Sequence, residues 1–357
     1  MKLKLKNTPE QVELIKAMGS REASTAKEAQ EAFAAFIGPV VNKVLLEAAT
    51  SSAVYTDLPY DEDDSPSIPL DLFHNEGEGL VTVWSQNVAG GLPSSTVEGL
   101  SELKVSTYRL DSAVSFLKRY ARRARLDVAS KAVERMANEV LIKQERNAWA
   151  VVLKALGESS NVVEASAGGS SFTLASLNTL VKNVKRLNKS YANGTTNSAY
   201  GLTDIFVSPE TMSDIRAFAY NPIFPTSNAS NNVQNQLPEG VREEIYRGGG
   251  AQEIYGITVH ELVELGANQK YTKLFNEFFT GSGFTFADSD DLVVGFDLTK
   301  DAFVRPVARN ADSGSTFTAT PDDQFVARSE KIGFYGSLEE GRVCIDSRAV
   351  AGIAINR

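Results

Sequence analysis

The stretch LDVASKAVERMANEVLIKQERNAWAVVLKAL, residues 126 to 156, limits what this chain can fold into more than any other part of it. Leu126, Ala129, Val133, Met136, Ala137, Val140, Leu141, Ala148, Val151, Val152 and Ala155 recur at three- and four-residue steps. That is the period at which an α-helix returns to one face. The positions between them are mostly Lys, Glu, Arg, Asn and Gln. The pattern predicts one helix of about thirty residues, roughly 45 Å long at 1.5 Å per residue, with a single apolar stripe. A rod of that reach exceeds the width of a small domain, so other elements have to pack along it as along a spine.

The chain has 357 residues, 42% of them hydrophobic, enough for two or three core-bearing units without covalent staples. Cys344 is the single cysteine, so no internal disulfide can form, and with two histidines there is no Cys/His set for zinc. This usage fits a reducing, cytoplasmic setting. The basic start MKLKLKN leads into PEQVELIKAM rather than an apolar run, and no eighteen-residue apolar stretch follows, so neither a signal peptide nor a membrane span is expected. A net charge of −9 argues against sequence-specific DNA binding, which draws its affinity from cations on phosphate.

Along the chain, residues 1 to 50 read as helices. Thr8, Pro9 and Gln11 make a capping-box start, Val12, Ile15 and Met18 share a face, and an Ala-rich pattern runs to Phe36 before Gly38 and Pro39 interrupt it. Residues 51 to 78 are loop-like. Gly79 to Leu110 read as one long hairpin, with arms LVTVWSQNV and SELKVSTYRL around AGGLPSS. A helical pattern is expected from Asp111 to Ala124, then the spine. Thr173 caps a helix whose apolar face runs from Leu174 to Leu187, with Lys182, Lys185, Arg186 and Lys189 at its C-terminal end. In DIFVSPETMSDIRAF a buried strand meets a helix capped by Ser208 with Pro209 in its first turn. Residues 220 to 250 form a long Asn/Pro/Gly-rich loop. EIYGITVHELVEL places Tyr255, Ile257 and Val259 on one strand face, and LVVGFDL, FVRPVA, QFVARSEKIGFYGS and GRVCIDSRAVAGIAI close the chain in sheet.

Motifs for chemistry are sparse. His74 sits in a loop and His260 on the polar phase of a strand, neither beside a Ser or Cys nucleophile motif. The run Gly248 to Gly250 has no Walker lysine after it. Asp61 to Asp64, the group Asp288, Asp290 and Asp291, and the pair Asp322 and Asp323 carry the carboxylates that hard cations prefer, but lack the alternation of a calcium loop and read as solvated loops. No catalytic, cofactor or metal residue is therefore assigned. In KRYARRAR, Lys118, Arg119, Arg122, Arg123 and Arg125 crowd eight residues, with Lys118, Arg122 and Arg125 on one helical face. Such a run is a solvated face, or it is neutralised by another subunit or by nucleic acid backbone.

The order of these parts resembles the major capsid protein of tailed double-stranded DNA bacteriophages. The likeness is carried by the hairpin 79 to 110, the helix 126 to 156, TDIFVSPETMSDIRAF, YGITVHE, QFVARSEKIGFYG and VCIDSRAVAGIAI. It implies an α+β fold with an N-terminal helical arm (1–50), an extended hairpin loop with flanks (51–115) and a peripheral domain built on the spine helix (116–170). An axial domain with a loop at 220–250 (171–265) and return strands shared by both domains (266–357) would complete it.

The resemblance further implies a structural, non-enzymatic subunit assembling into the pentamers and hexamers of an icosahedral shell around double-stranded DNA, without sequence-specific binding and without a membrane. Such a protein is made in the host cytoplasm and ends in the virion. Candidate contacts between copies are Trp84, Leu92, Tyr108, Lys118, Arg119, Arg122, Arg123, Arg125, Asn231, Asn232 and Arg247. Many family members begin with a cleaved scaffolding segment. Here only a short helical lead follows Met1, so a separate scaffolding protein is expected, with decoration proteins as further partners. An encapsulin-type compartment enclosing a protein cargo shares the same expected fold. A hydrolase using Asp61 to Asp64 and His74 with a metal is the alternative from another class.

Overall fold

The computed structural model describes residues 8–61, 64–69, 102–159, 161–165, 171–188, 201–220, 240, 253–281, 283–310, 316–322 and 330–357. They divide into two compact units. The first takes Met1–Ile68, Lys104–Ala148 and Val304–Val343, the second Pro69–Leu103, Trp149–Phe303 and Cys344–Arg357.

In the first unit, helices α1 (Pro9–Met18) and α2 (Ala23–Ala48) precede strand β1 (Thr56–Asp61). Short strands β2 (Ser67–Pro69) and β3 (Glu102–Lys104) pair with each other. Strand β4 (Tyr108–Leu117) leads into α3 (Lys118–Arg122) and the long helix α4 (Leu126–Glu158). Strands numbered in chain order as β10 (Phe303–Arg309), β11 (Phe317–Asp322), β12 (Lys331–Glu340) and β13 (Val343–Cys344) complete a six-stranded sheet in the order β1-β10-β12-β11, with β13 on β10 and β4 on β12. β4 and β12 pair antiparallel over ten residues, from Tyr108↔Glu340 to Leu117↔Lys331. The alternation of β4 turns Leu110, Val114 and Phe116 inward and leaves Arg109, Asp111, Ala113 and Ser115 exposed. Phe317, Ile332, Phe334 and Leu338 share the inner face, and Ile15, Met18, Phe33, Ile37, Val41, Val133, Met136 and Val140 close the core from the helices.

In the second unit, β5 (Val162–Glu164), α5 (Leu174–Asn188), β6 (Asp204–Val207), α6 (Pro209–Tyr220), β7 (Glu253–Ile254), β8 (Ile257–Glu261), α7 (Lys270–Phe278), β9 (Asp291–Phe296) and β14 (Val350–Ile355) follow in chain order. Their mixed sheet has the order β5-β14-β9-β6-β8-β7, with β6 parallel to β8 and antiparallel to β9. Ile205, Val207, Val293, Ala351 and Ile353 cluster with Leu177, Leu180 and Val184 of α5 and with Met212 and Ile215 of α6. Alternate residues pack elsewhere: the Trp149 ring lies 4.9 Å from Phe206 and 5.9 Å from Tyr271. The strands are apolar at consecutive positions because both sheet faces are covered.

The spine helix is present, but it does not bury one stripe. Ile142 and Trp149 are seven residues apart and share a helical face, yet Ile142 is 54% exposed and Trp149 1%. Between Ala129 and Gln144 the buried positions are Ala129, Val133, Met136, Ala137, Val140 and Gln144; from Ala148 onward they are Ala148, Trp149, Val152, Leu153 and Leu156. Val151 and Ala155, expected on the stripe, are only half-buried. The change of buried face follows from the division of the helix between two cores.

Several local expectations are corrected. Asp111 to Ala124 is strand β4 followed by the five-residue α3, because the inward phase Ser112, Val114, Phe116 has the period of a strand. The arm expected at 101 to 110 pairs at 102–104 with β2, and Val105 N donates to Pro66 O over 3.0 Å. The opposite arm, 80 to 88, lies outside the described residues. Helix α2 continues through Pro39 to Ala48, held on both sides of the proline by buried Ile37 and Val41. Thr8 makes no side-chain cap. Tyr255 is not on the strand face with Ile257 and Val259 but in the β7–β8 turn at φ 56°, exposed. Helix α7 was not expected, although Tyr271, Leu274, Phe275 and Phe278 have helical spacing. The caps at Thr173 and Ser208 do form: Ser176 N donates to Thr173 Oγ1 over 3.3 Å and Thr211 N to Ser208 Oγ over 3.0 Å.

Candidate functional site

The strongest concentration of charge among the described residues is a lock inside the first unit. Glu340 ends β12, opposite Tyr108 of β4 and Val307 of β10, so its carboxylate stands where three strands meet, wholly buried. Arg305 Nε donates to Oε2 over 2.7 Å and Gln144 Nε2 over 3.0 Å. Tyr108 Oη donates to Oε1 over 2.8 Å. Arg342, itself lying 4.6 Å over the Tyr55 ring, reaches Oε2 at 3.3 Å. Burial alone would raise the Glu340 carboxyl; the Arg342 and Arg305 charges and the Tyr108 hydroxyl outweigh it and hold it below its ordinary value. The Tyr108 phenol is pushed up, first by burial and then by Glu340. Gln144 ties α4 to this group, and Tyr55 Oη donates to Ala148 O over 2.8 Å. Chemically the arrangement fastens strands β4, β10 and β12 to the helix.

A second lock lies inside the second unit. Asp291 Oδ2, wholly buried at the start of β9, accepts from Ser208 Oγ at 2.5 Å, Thr211 Oγ1 at 2.7 Å and Arg357 Nε at 3.1 Å. Arg357 also donates to Asp214 Oδ2 over 2.9 Å, the oxygen that accepts from Phe172 N. The helix cap Ser208 is thus held by the strand beside it.

The basic run 118–125 is a corner rather than a helical face. α3 ends at Arg122, Ala124 adopts φ 52°, and Arg125 lies beyond the helix, so the expected alignment of Lys118, Arg122 and Arg125 is not made. Lys118 N donates to Glu330 O over 2.7 Å. Arg122 Nε donates to the O of Gly19 over 3.0 Å, at the C-terminal end of α1 where the helix dipole favours a cation. Arg119 lies 5.1 Å over the Tyr120 ring, and Arg125 stands 3.9 Å from Asp127 with both side chains exposed.

His260 Nε2 lies 2.8 Å from Asp204 Oδ1, and its ring stacks on Phe206 at 4.7 Å; among the described residues no hydroxyl or thiol is hydrogen-bonded to it. Asp288 accepts from Asn276 and Asp290 from Ala287 N, each over 2.8 Å. Among the described residues no three His, Cys, Asp or Glu side chains are arranged to hold a metal, and no helix is long and apolar enough to cross a membrane. Trp84, Leu92, Asn231, Asn232, Arg247, His74, Glu62, Asp63 and Asp323 lie outside the described residues, as does loop 220–250 except for its start at Tyr220 and for Gly240. Sequence reasoning missed Glu340, Arg305, Arg342, Asp291 and Arg357. Their one signal was charge at inward-facing strand positions or at strand ends.

No protein-family model matches this chain, and no curated protein matches it. Solved structures do. A structure from Microbacterium phage Oxtober96 is similar with a TM-score of 0.50 at 10% identity, over 86% of this chain and 90% of that one. The capsid structure of Cyanophage P-SCSP1u gives 0.49 at 13% identity over 84% and 86%, and the virus-like particle from Pyrococcus furiosus 0.45 at 10% over 89% and 97%. At such identities the likeness is one of fold: an α+β fold with mixed sheets, related to that of capsid and encapsulin shells.

Proposed function

We propose that this chain is the major capsid subunit of a tailed double-stranded DNA phage, assembling through copies of itself into pentamers and hexamers of a closed icosahedral shell. The observation that carries the reading is the fold shared with the Oxtober96 phage structure across 86% of this chain and 90% of that one. Nearly the whole chain is accounted for by one shell-related fold, which leaves little sequence for a separate catalytic domain. The two internal locks support it as well, since a thin shell subunit under load needs strands fastened by more than apolar contact. In this reading residues 1–50 serve as an arm, 51–115 as an extended loop, 116–170 as the peripheral domain, 171–265 as the axial domain and 266–357 as shared return strands. The basic corner 118–125 would meet a neighbouring copy. The remaining contact candidates, including Trp84, Leu92 and the 220–250 loop, would do the same, and scaffolding and decoration would come from separate proteins.

Expression of the chain, with and without the protein encoded beside it as a candidate scaffold, followed by sedimentation and electron microscopy, tests the reading. Closed shells or capsomers are expected. A stable monomer under every assembly condition refutes it. Nucleic acid inside particles isolated from their source identifies a capsid, whereas a protein cargo identifies an encapsulin-type compartment.

A further inference from the structure

Five large apolar side chains are exposed among the described residues: Phe36, Leu58, Ile142, Tyr255 and Val263. Single exposed apolar residues are ordinary. Two of the five, both in the first unit, differ from the rest in what surrounds them. Ile142, 54% exposed on α4, shares the solvent side of that helix with Lys131, Arg135, Lys143 and Arg146, against the one acid Glu139. None of these four cations has an ion-pair partner among the described residues, in a chain whose net charge is −9. Leu58, 39% exposed, sits at the middle of β1, which pairs only with β10 among the described residues. It is flanked on that edge by exposed Asp57 and Asp61, and Asp57 keeps 42% of its side chain in solvent while reaching Arg305 at 3.4 Å.

An apolar anchor ringed by charge is the anatomy of an interface hot spot. The two anchors here carry rims of opposite sign. We propose that the Ile142 ridge of one copy docks on the Leu58 edge of a second copy of this chain, with the α4 cations facing Asp57 and Asp61. The proposal rests on the shell reading, which requires contacts between copies. The occupant is a second copy because one surface supplies what the other lacks. A bare polyanion would leave Ile142 facing phosphate, whereas an apolar, acid-flanked strand covers it. Like charges at four-residue steps, Lys131 with Arg135, also weaken the isolated helix by a few tenths of a kcal/mol, which an acidic neighbour relieves.

Two single variants, Ile142→Cys and Leu58→Cys, are purified separately, mixed, assembled and treated with a short bis-maleimide. The expected result is a covalent dimer in the mixed particles well above that in either variant alone or in the unmodified chain, whose Cys344 sets the baseline. Particles that form normally without a mixture-specific dimer overturn the contact but leave the shell reading standing. Failure of the unmodified chain to assemble at all overturns the shell reading instead. Should a cysteine variant not fold, charge reversal gives the second measurement. Arg146→Glu and Asp61→Lys each lower particle yield about tenfold at fixed subunit concentration, an effect of about 1.4 kcal/mol, and the double variant recovers it. No recovery overturns the contact. Protection of Ile142→Cys from maleimide only in nucleic-acid-filled particles likewise overturns it, in favour of a polyanion on the ridge.

Discussion

Arg305 meets Glu340 at 2.7 Å, Nε to Oε2, with the carboxylate wholly buried and the guanidinium 12% exposed. Taking such a pair out of water costs more than most surface ion pairs return, so its value lies in being complete: Arg342, Tyr108 and Gln144 satisfy what Arg305 leaves. Breaking it is therefore expensive. Glu340→Gln, which keeps the shape and removes the charge facing two arginines, is expected to destabilise the first unit by about 3–5 kcal/mol in urea unfolding. The pH dependence has a definite sign. Because the native carboxyl is held below its ordinary value of 4.5, its stabilisation is present in full above that value and is lost as pH falls through the lowered one. Acid unfolding of Glu340→Gln should show a correspondingly shallower dependence below about pH 5; an unchanged profile contradicts this role.

Gly336 on β12 faces the Phe317 ring of β11. An added Cβ would stand 2.3 Å from Phe317 Cζ and 3.0 Å from Cε1, inside a core where Phe317 is 1% exposed. Gly336→Ala is expected to cost about 1–3 kcal/mol by overpacking, and pairing it with Phe317→Leu should return part of that loss. Additive losses in the double variant would show that the two side chains do not compete for the space.

Arg357 holds both Asp291 and Asp214, and its side chain is 19% exposed. Replacement by Ala leaves Asp291 to the hydroxyls of Ser208 and Thr211 and to Leu292 N. A loss of about 1–3 kcal/mol is expected, the range for hydrogen bonds to charged groups. Amide exchange at the start of α6, where Thr211 N is capped by Ser208, should rise with it. Unchanged protection there would separate the cap from the lock.

Cys344 is half-buried, and burial, aided by Asp346, pushes its thiol from 9.0 up to about 12. The thiolate is the reactive form, so at pH 8 native protein should label slowly with a disulfide reagent and quickly in denaturant. The raised value also means that this group's contribution to stability is present below its ordinary 9.0 and is lost as pH rises toward 12. Complete native labelling within the mixing time would refute the assignment.

The parts of the fold legible in the sequence were those set by local period and capping. Leu126 to Glu158 is one helix because its apolar residues step by three and four, and Ser208 caps α6 because a hydroxyl there can reach Thr211 N. The same reading failed at β4. Asp111 to Ala124 has enough small and charged residues to pass for a helix, and only ten residues of partner strand in β12 make it a strand. The candidate locks were less legible still, since Glu340 and Arg305 are thirty-five residues apart and each looks like an ordinary surface charge.

The sequence by itself determined that residues 126 to 158 form a rod, that DIFV meets a capped helix, and that the chain closes in strands, because each depends on neighbours within a few positions. Only the tertiary structure decided which side of the rod is buried where. Ile142 and Trp149 occupy one helical face, and the sequence marks both simply as apolar. Burial depends on what distant segments bring alongside: α2 and β12 serve one stretch of the helix, Phe206 and Tyr271 the other. A helix's period fixes which residues point the same way, but the direction of the core is set by partners far away along the chain.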